Sequence, residues 1–218
     1  MLNFTTARIN MVESQVRPNK VTDPRLIDAL ETLPREDFVP PDLRAVAYVD
    51  RSLKLGEGRY LLDPMVFARL VQAADPQPDD LVLDIACATG YSTAVLARLA
   101  GTVVAVESDE ALIDAANAAL NGLGIDNAVV VNGEPAFGYA QQGPYDVILI
   151  NGEVDSLPQS LTDQLAPGGR LVAVLKDDQG LGRATLLMRT AAGLSRRTLF
   201  DANVPRLPEF TVEAGFVF

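Results

Sequence analysis

Two carboxylates stand where a nucleotide-binding α/β unit needs them. Residues 81 to 91, Leu-Val-Leu-Asp-Ile-Ala-Cys-Ala-Thr-Gly-Tyr, form an apolar run carrying Asp84, pass through a small-residue turn and open onto the helical pattern Tyr91 to Leu99. Small side chains in such a turn let backbone N–H groups approach a ligand at a helix N-terminus. Glu107 closes the next apolar run, Thr102 to Val106. A carboxylate there can accept hydrogen bonds from both hydroxyls of a ribose. Gly133-Glu134 follows a third run, placed for an adenine amino group, and Asn151 ends a fourth, Ile148 to Ile150. Ligands in open α/β sheets bind at the carboxyl ends of the strands, so four polar strand ends together point to an adenosyl ligand.

Each residue also has a plainer reading. An acid at a strand end is often the N-cap of the following helix, but Asp109 is better placed than Glu107 to cap Ala111 to Leu123. Glu134 alone reads as a solvated loop acid. The spacing of the set favours the functional reading. A dinucleotide fingerprint needs G-x-G-x-x-G, and residues 86 to 91 supply only Gly90. A phosphate-free ligand with a cationic methionine end tolerates Asp84 beneath it better than a pyrophosphate does.

Composition narrows the chemistry further. The 218 residues contain no histidine and a single cysteine, Cys87. Ser-His and Cys-His catalysis, imidazole bases, intrachain disulfides and multi-cysteine zinc sites are thereby excluded, and no metal site is expected. Cys87 reads as a small buried filler. The formal charge of −11 opposes a nucleic-acid partner. Arg183, Arg189, Arg196 and Arg197 scatter near the C-terminus and read as a solvated face. No apolar stretch is long enough to span a bilayer and Met1 to Gln15 lacks the apolar core of a signal peptide, so a cytoplasmic setting is expected.

These residues must be held by alternating strands and helices. Apolar runs predict strands near 80–86, 102–107, 128–132, 145–150 and 169–176, with helices near 90–99, 109–123 and 157–165. Residues 184–191 read as helix or strand, and 195–202 and 211–218 as β-rich segments, suggesting an antiparallel edge. Upstream, Asp23-Pro24 starts a helix with Leu26, Ile27, Leu30 and Leu33 at helical spacing. Gly56-Glu57-Gly58 marks a tight turn, Pro64 to Ala74 a second helix, and residues 75–80 a linker. The expected division is a helical, substrate-side extension over 1–78 on a Rossmann-like core over 79–218, forming one compact unit.

In this order, the motifs resemble the protein-L-isoaspartate O-methyltransferase family over nearly the whole chain. Leu33-Pro34-Arg35-Glu36-Asp37-Phe38-Val39-Pro40 is similar to its V-P-R-E-x-F-V-P, and Ala47-Tyr48-Val49-Asp50 to its A-Y-x-D. Leu55-Gly56-Glu57-Gly58 is similar to I-G-x-G, Val82 to Leu96 to V-L-E-I-G-T-G-S-G-Y-x-x-A-V-L, and Pro144 to Ile148 to P-F-D-x-I. The resemblance implies a mostly parallel, twisted sheet with helices on both faces. It also implies S-adenosylmethionine as methyl donor and a protein, peptide or small-molecule carboxylate, isoaspartate among them, as acceptor. Carried over by position, Glu107 and Ser108 meet the ribose. Asp84, Ala86, Cys87, Ala88, Thr89, Gly90 and Tyr91 meet the methionine moiety, Gly133 and Glu134 meet adenine, and Asn151 faces the same crevice.

The chain departs from the family at the acceptor segment. The family's Q-T-I-S-Q-P becomes Arg59-Tyr60-Leu61-Leu62-Asp63-Pro64, so Tyr60, Leu62 and Asp63 occupy the candidate catalytic positions, with both hydroxyl positions altered and the second made aliphatic. Leu62 cannot hydrogen-bond a carboxylate and Asp63 repels one. Ala86 and Ala88 replace the first two glycines of the turn, which is free of strain only where φ is negative. The sequence therefore supports a diverged methyltransferase. Its alternative is a catalytically silent relative that binds S-adenosylmethionine or S-adenosylhomocysteine as a regulatory module.

Overall fold

A computed structural model describes residues 3–211. Helix α1 spans Phe4–Met11, and the expected helix after Asp23 is α2, over Pro24–Thr32, whose first turn is fixed by Asp23 accepting from the Arg25 amide at 2.8 Å. Strands β1 (Leu53–Gly56) and β2 (Arg59–Leu61) make an antiparallel hairpin around the Gly56 to Gly58 turn, and α3 follows over Pro64–Ala74. The remaining elements are β3 (Leu81–Ile85), α4 (Tyr91–Ala97), β4 (Thr102–Glu107), α5 (Glu110–Gly122) and β5 (Ala128–Asn132). They are followed by β6 (Tyr145–Val154), α6 (Gln159–Thr162), β7 (Leu165–Lys176), β8 (Gly182–Thr190) and β9 (Gly193–Asp201).

Among the described residues, β3 to β9 form one sheet in the order β5-β4-β3-β6-β7-β8-β9. The first five are parallel and the last two antiparallel, the Rossmann-like arrangement with the expected antiparallel edge. Chain direction outward from β3 reverses between β3 and β6, so the crevice for a ligand opens there, at the carboxyl ends.

Strand periodicity of two divides the core. Val82, Val103, Val147 and Val172 pack on one face with α2, α3 and α4, in a cluster that includes Leu26, Leu30, Phe38 and Phe67. Leu83, Val104, Ile148 and Leu171 point to the other face and join Leu161, Leu207 and Phe210. Both faces of the central strands are covered, which explains their unbroken apolar runs.

One expectation changes and another is decided. Only Gln159–Thr162 of the 157–165 stretch is helical, because Pro158 admits the chain and β7 already begins at Leu165. Of the two readings of residues 184–191 the strand holds, as β8 through Thr190: Ala184 and Leu186 join one face and Leu187 the other, a period of two. The helical turns from Phe4 to Val16 were not foreseen, since only Met11, Val12 and Val16 are buried there and their spacing makes a poor stripe. The expected β-rich segment 211–218 lies almost wholly outside the described residues. No helix among them is long and apolar enough to cross a membrane.

Candidate active site

The turn after β3 is more strained than glycines would make it. Ala86 has φ of 55° and Ala88 of 50°, both left-handed, and Gly90 has φ of 87°. An alanine in that region costs about 1–2 kcal/mol. The turn is held regardless: the Cys87 amide donates to Val106 O at 3.3 Å, the Gly90 amide to Cys87 O at 2.9 Å, and the Ala88 amide to Glu107 Oε2 at 3.0 Å. Thr89 Oγ1 donates to Phe38 O at 2.6 Å, tying the turn to the N-terminal segment. Glycine at 86 or 88 is expected to raise unfolding free energy by about 1 kcal/mol at each site, read by denaturant titration. A loss of stability would show the methyls to be needed as packing.

Asp84 faces inward beneath the turn. It is fully buried; Ser92 Oγ and Thr93 Oγ1 each donate to its Oδ2 at 2.7 Å, and Asn151 Nδ2 to its Oδ1 at 2.7 Å. Asn151 also donates to Ile85 O at 2.9 Å. Burial pushes the Asp84 carboxyl up to about 6 against the pull of these three donors, with the Glu107 charge adding to the rise. Through these bonds Asp84 and Asn151 brace β3, β6 and the start of α4. Cys87 is buried, and burial together with the Asp84 and Glu107 charges holds its thiol well above the usual range, in keeping with a filler. Tyr91 is buried with its ring edge-on to Phe38, 5.4 Å between centroids, and the Arg35 guanidinium 4.8 Å above it.

Glu107 departs most from expectation. Its carboxylate is wholly buried, and the Arg59 Nε donates to both oxygens, at 3.0 and 2.8 Å. Oε1 also accepts from the amides of Ser108 at 2.7 Å and Asp109 at 3.2 Å. The outer nitrogens of Arg59 face Glu209 beyond the sheet, Nη2 to Oε1 at 2.6 Å and Nη1 to Oε2 at 3.2 Å, while Nη2 also donates to Ser108 Oγ at 3.2 Å. Burial opposes the Arg59 charge, but hydrogen bonds and charge from Glu209 and Glu107 more than reverse that and raise its pKa. One guanidinium thus lies between two carboxylates where a ribose was expected.

The acceptor segment is structural in large part. The Asp63 carboxylate accepts from the Val66 amide at 2.9 Å and caps α3, and burial raises its pKa. The structure thus gives Asp63 the role of an N-cap at the acceptor segment. Asp63→Ala is expected to lower stability by about 1 kcal/mol, measured by thermal unfolding, and no change would deny the cap. Leu62 is buried, and its carbonyl accepts from Arg35 Nη2 at 2.5 Å while Arg35 Nε donates to Ala47 O at 2.7 Å. Tyr60 is half-buried beside the turn. At the adenine end, the Gly133 amide donates to Glu107 O at 3.0 Å, and Glu134 is exposed with no side-chain cap to the following turn. Glu209 escaped sequence reasoning, and the pairing of Arg59, which stands where the family has glutamine, with Glu107 and Glu209 was not legible from the sequence.

The model of the protein-L-isoaspartate(D-aspartate) O-methyltransferase family matches residues 7–196. The chain belongs to this family. It is 39% identical to protein-L-isoaspartate O-methyltransferase 1 of Rhodopseudomonas palustris (strain HaA2) over 87% of this chain and 77% of that protein. With the protein-L-isoaspartate O-methyltransferase of Koribacter versatilis (strain Ellin345) the identity is 35%, over 92% and 90%. A solved protein-L-isoaspartate O-methyltransferase shares the fold with a TM-score of 0.79 at 25% identity, covering 91% of this chain and 65% of that one, so the chain spans less than two thirds of its length. A structure from Plasmodium falciparum, described as a putative member of the family in complex with S-adenosyl-L-homocysteine, also gives 0.79, at 17% identity, over 96% and 100% of the two chains. Members of the family are S-adenosylmethionine-dependent O-methyltransferases.

The cavity beside the turn, bounded by Tyr60, Leu62, Ala86, Ala88, Tyr91 and Asn151, holds about 10 Å³. That admits one water, whereas a drug-sized ligand needs about 300 Å³ or more. The Glu107 carboxylate is covered by Arg59, and residues 205–210 run beside the end of β6, bonded to Glu153.

Proposed function

We propose that this chain is a carboxyl O-methyltransferase whose donor site is the crevice at the ends of β3, β4 and β5, reached in a form more open than the one described. The observation that carries the reading is the placement of Glu107 beside the turn Ala86 to Gly90, at the switch point of a chain that belongs to this family. Three backbone amides, of Ala88, Ser108 and Asp109, already aim the Glu107 carboxylate without Arg59. In the open form Glu107 and Ser108 take the ribose and Gly133 with Glu134 the adenine. Asp84 and Asn151 act one layer behind, by fixing the turn that meets the methionine end.

The acceptor we infer is a carboxylate on a protein or peptide, with isoaspartate as the class to test first. The Tyr60 phenol stands at the first of the family's two hydroxyl positions and Leu62 offers no hydroxyl at the second, while Arg35 Nη2 and Nε donate to Leu62 O and Ala47 O. An acceptor oriented differently by this segment would still be a carboxylate. The net charge of −11 supports a partner other than nucleic acid, and a cytoplasmic setting accords with the single buried cysteine.

The test is incubation of the purified chain with methyl-labelled donor, an isoaspartyl peptide and a protein pool, followed by base treatment. Label released as volatile methanol, and lost in Glu107→Ala, supports the reading. Donor binding with no transfer to any acceptor would replace it with a silent binding module, which the names of the relatives do not favour.

A further inference from the structure

We propose that Arg59 and Glu209 form a latch that holds residues 205–210 across the strand ends, so that docking of this segment and occupancy of the crevice by an adenosyl ligand exclude each other. The proposal rests on the reading of the crevice as a donor site.

The segment is seated by its backbone and by two apolar anchors. The Glu153 amide donates to Pro205 O at 2.9 Å and the Leu207 amide to Glu153 O at 2.9 Å, which fixes it to the end of β6. Leu207 is 1% exposed and Phe210 4%, and both belong to the cluster that contains Ala86, Val106 and Ile150 from three adjoining strand ends. The fit is close. A Cβ at Gly58 would lie 2.5 Å from Pro208 Cγ, and one at Gly152 would lie 2.6 Å from Leu207 Cγ. The segment thus meets the β1–β2 hairpin on one side and β6 on the other, spanning the crevice.

Charge closes the arrangement. Glu209 takes both outer nitrogens of Arg59, and the inner nitrogen covers the acid whose free lone pairs a ribose diol requires. A ligand at Glu107 must displace Arg59, and a displaced Arg59 leaves Glu209 without its cation. The two events are linked through one side chain. Segments tied by few backbone hydrogen bonds open well below the free energy of global unfolding, so a closed ground state remains compatible with a ligand that binds the open one. Its observed affinity is then reduced by the fraction of chains that are open.

The experiment pairs hydrogen exchange at the Leu207 and Phe210 amides with calorimetric titration of S-adenosylhomocysteine, on the full chain and on Glu209→Gln and Arg59→Gln. Glu209→Gln keeps the Arg59–Glu107 pair, so it stays informative if Arg59→Gln folds poorly. Expected are roughly tenfold faster exchange at both amides in Glu209→Gln and a matching rise in affinity, since both report the same opening equilibrium. In the unaltered chain, saturating S-adenosylhomocysteine should accelerate exchange at these amides. Binding that leaves exchange unchanged would overturn the latch and leave the donor site standing. A segment loosened in the variants with no binding by any chain would overturn the exclusion by removing the donor site itself.

Discussion

Arg59→Leu is expected to lower the unfolding free energy by about 3 kcal/mol, because removing one partner of a buried ion pair leaves the other charge uncompensated. Glu107 is fully buried and the side chain of Glu209 is 15% exposed, so neither carboxylate is well placed to recover its lost cation from water. The three amides that aim Glu107 remain, which sets the expected effect at the lower end for such a change. Adding Glu107→Leu to Arg59→Leu should restore only part of the loss, since Glu209 stays without its cation and the amides of Ala88, Ser108 and Asp109 lose their acceptor. Urea denaturation of the single and double variants, with unchanged denaturant slope, checks this. A single variant as stable as the parent would show that the guanidinium offsets no burial penalty.

Asp84 is expected to make stability fall as pH rises. Its folded carboxyl titrates at about 6 against an ordinary value of 3.8, so between these values the folded chain holds a proton that the unfolded chain has released. The favourable contribution is complete below the unfolded value and is lost as pH rises through the folded one, a change of about 3 kcal/mol. Asp84→Asn cannot ionise and its curve should be flatter by that amount between about pH 4 and about pH 7. Its overall stability will differ, because one amide cannot accept from Ser92 and Thr93 on one side and Asn151 on the other as a carboxylate does. The slope therefore carries the test. Parallel curves for the two chains would remove the burial-driven rise at Asp84.

The sheet was readable because its strands are unbroken apolar runs punctuated by turns, and the caps because Asp23 and Asp109 stand immediately before amphipathic helices. Glu107 fell where its run and β4 both stop, whereas Asn151 follows the apolar run but lies inside β6, which continues to Val154. Backbone dihedrals were beyond reach: nothing in Ala-Cys-Ala states that both alanines take positive φ. Nor does local pattern pair Arg59 with Glu107, 48 positions on, or with Glu209, 150 positions on. The helix starting at Pro64 was legible, but the acceptor-segment alignment drew attention away from the cap that the Asp63-Pro64 pair makes, the same pair that caps α2 at Asp23.

A cation shared by two carboxylates also limits how this sequence can drift. Losing Arg59 first strands Glu107 and Glu209 together, whereas losing Glu209 first leaves a guanidinium that still has one partner. The tolerated route back toward glutamine at position 59 therefore begins at the far end of the chain. Among descendants of a common ancestor, an arginine here should travel with an acid at position 209, and the acid should be the first of the two to vary.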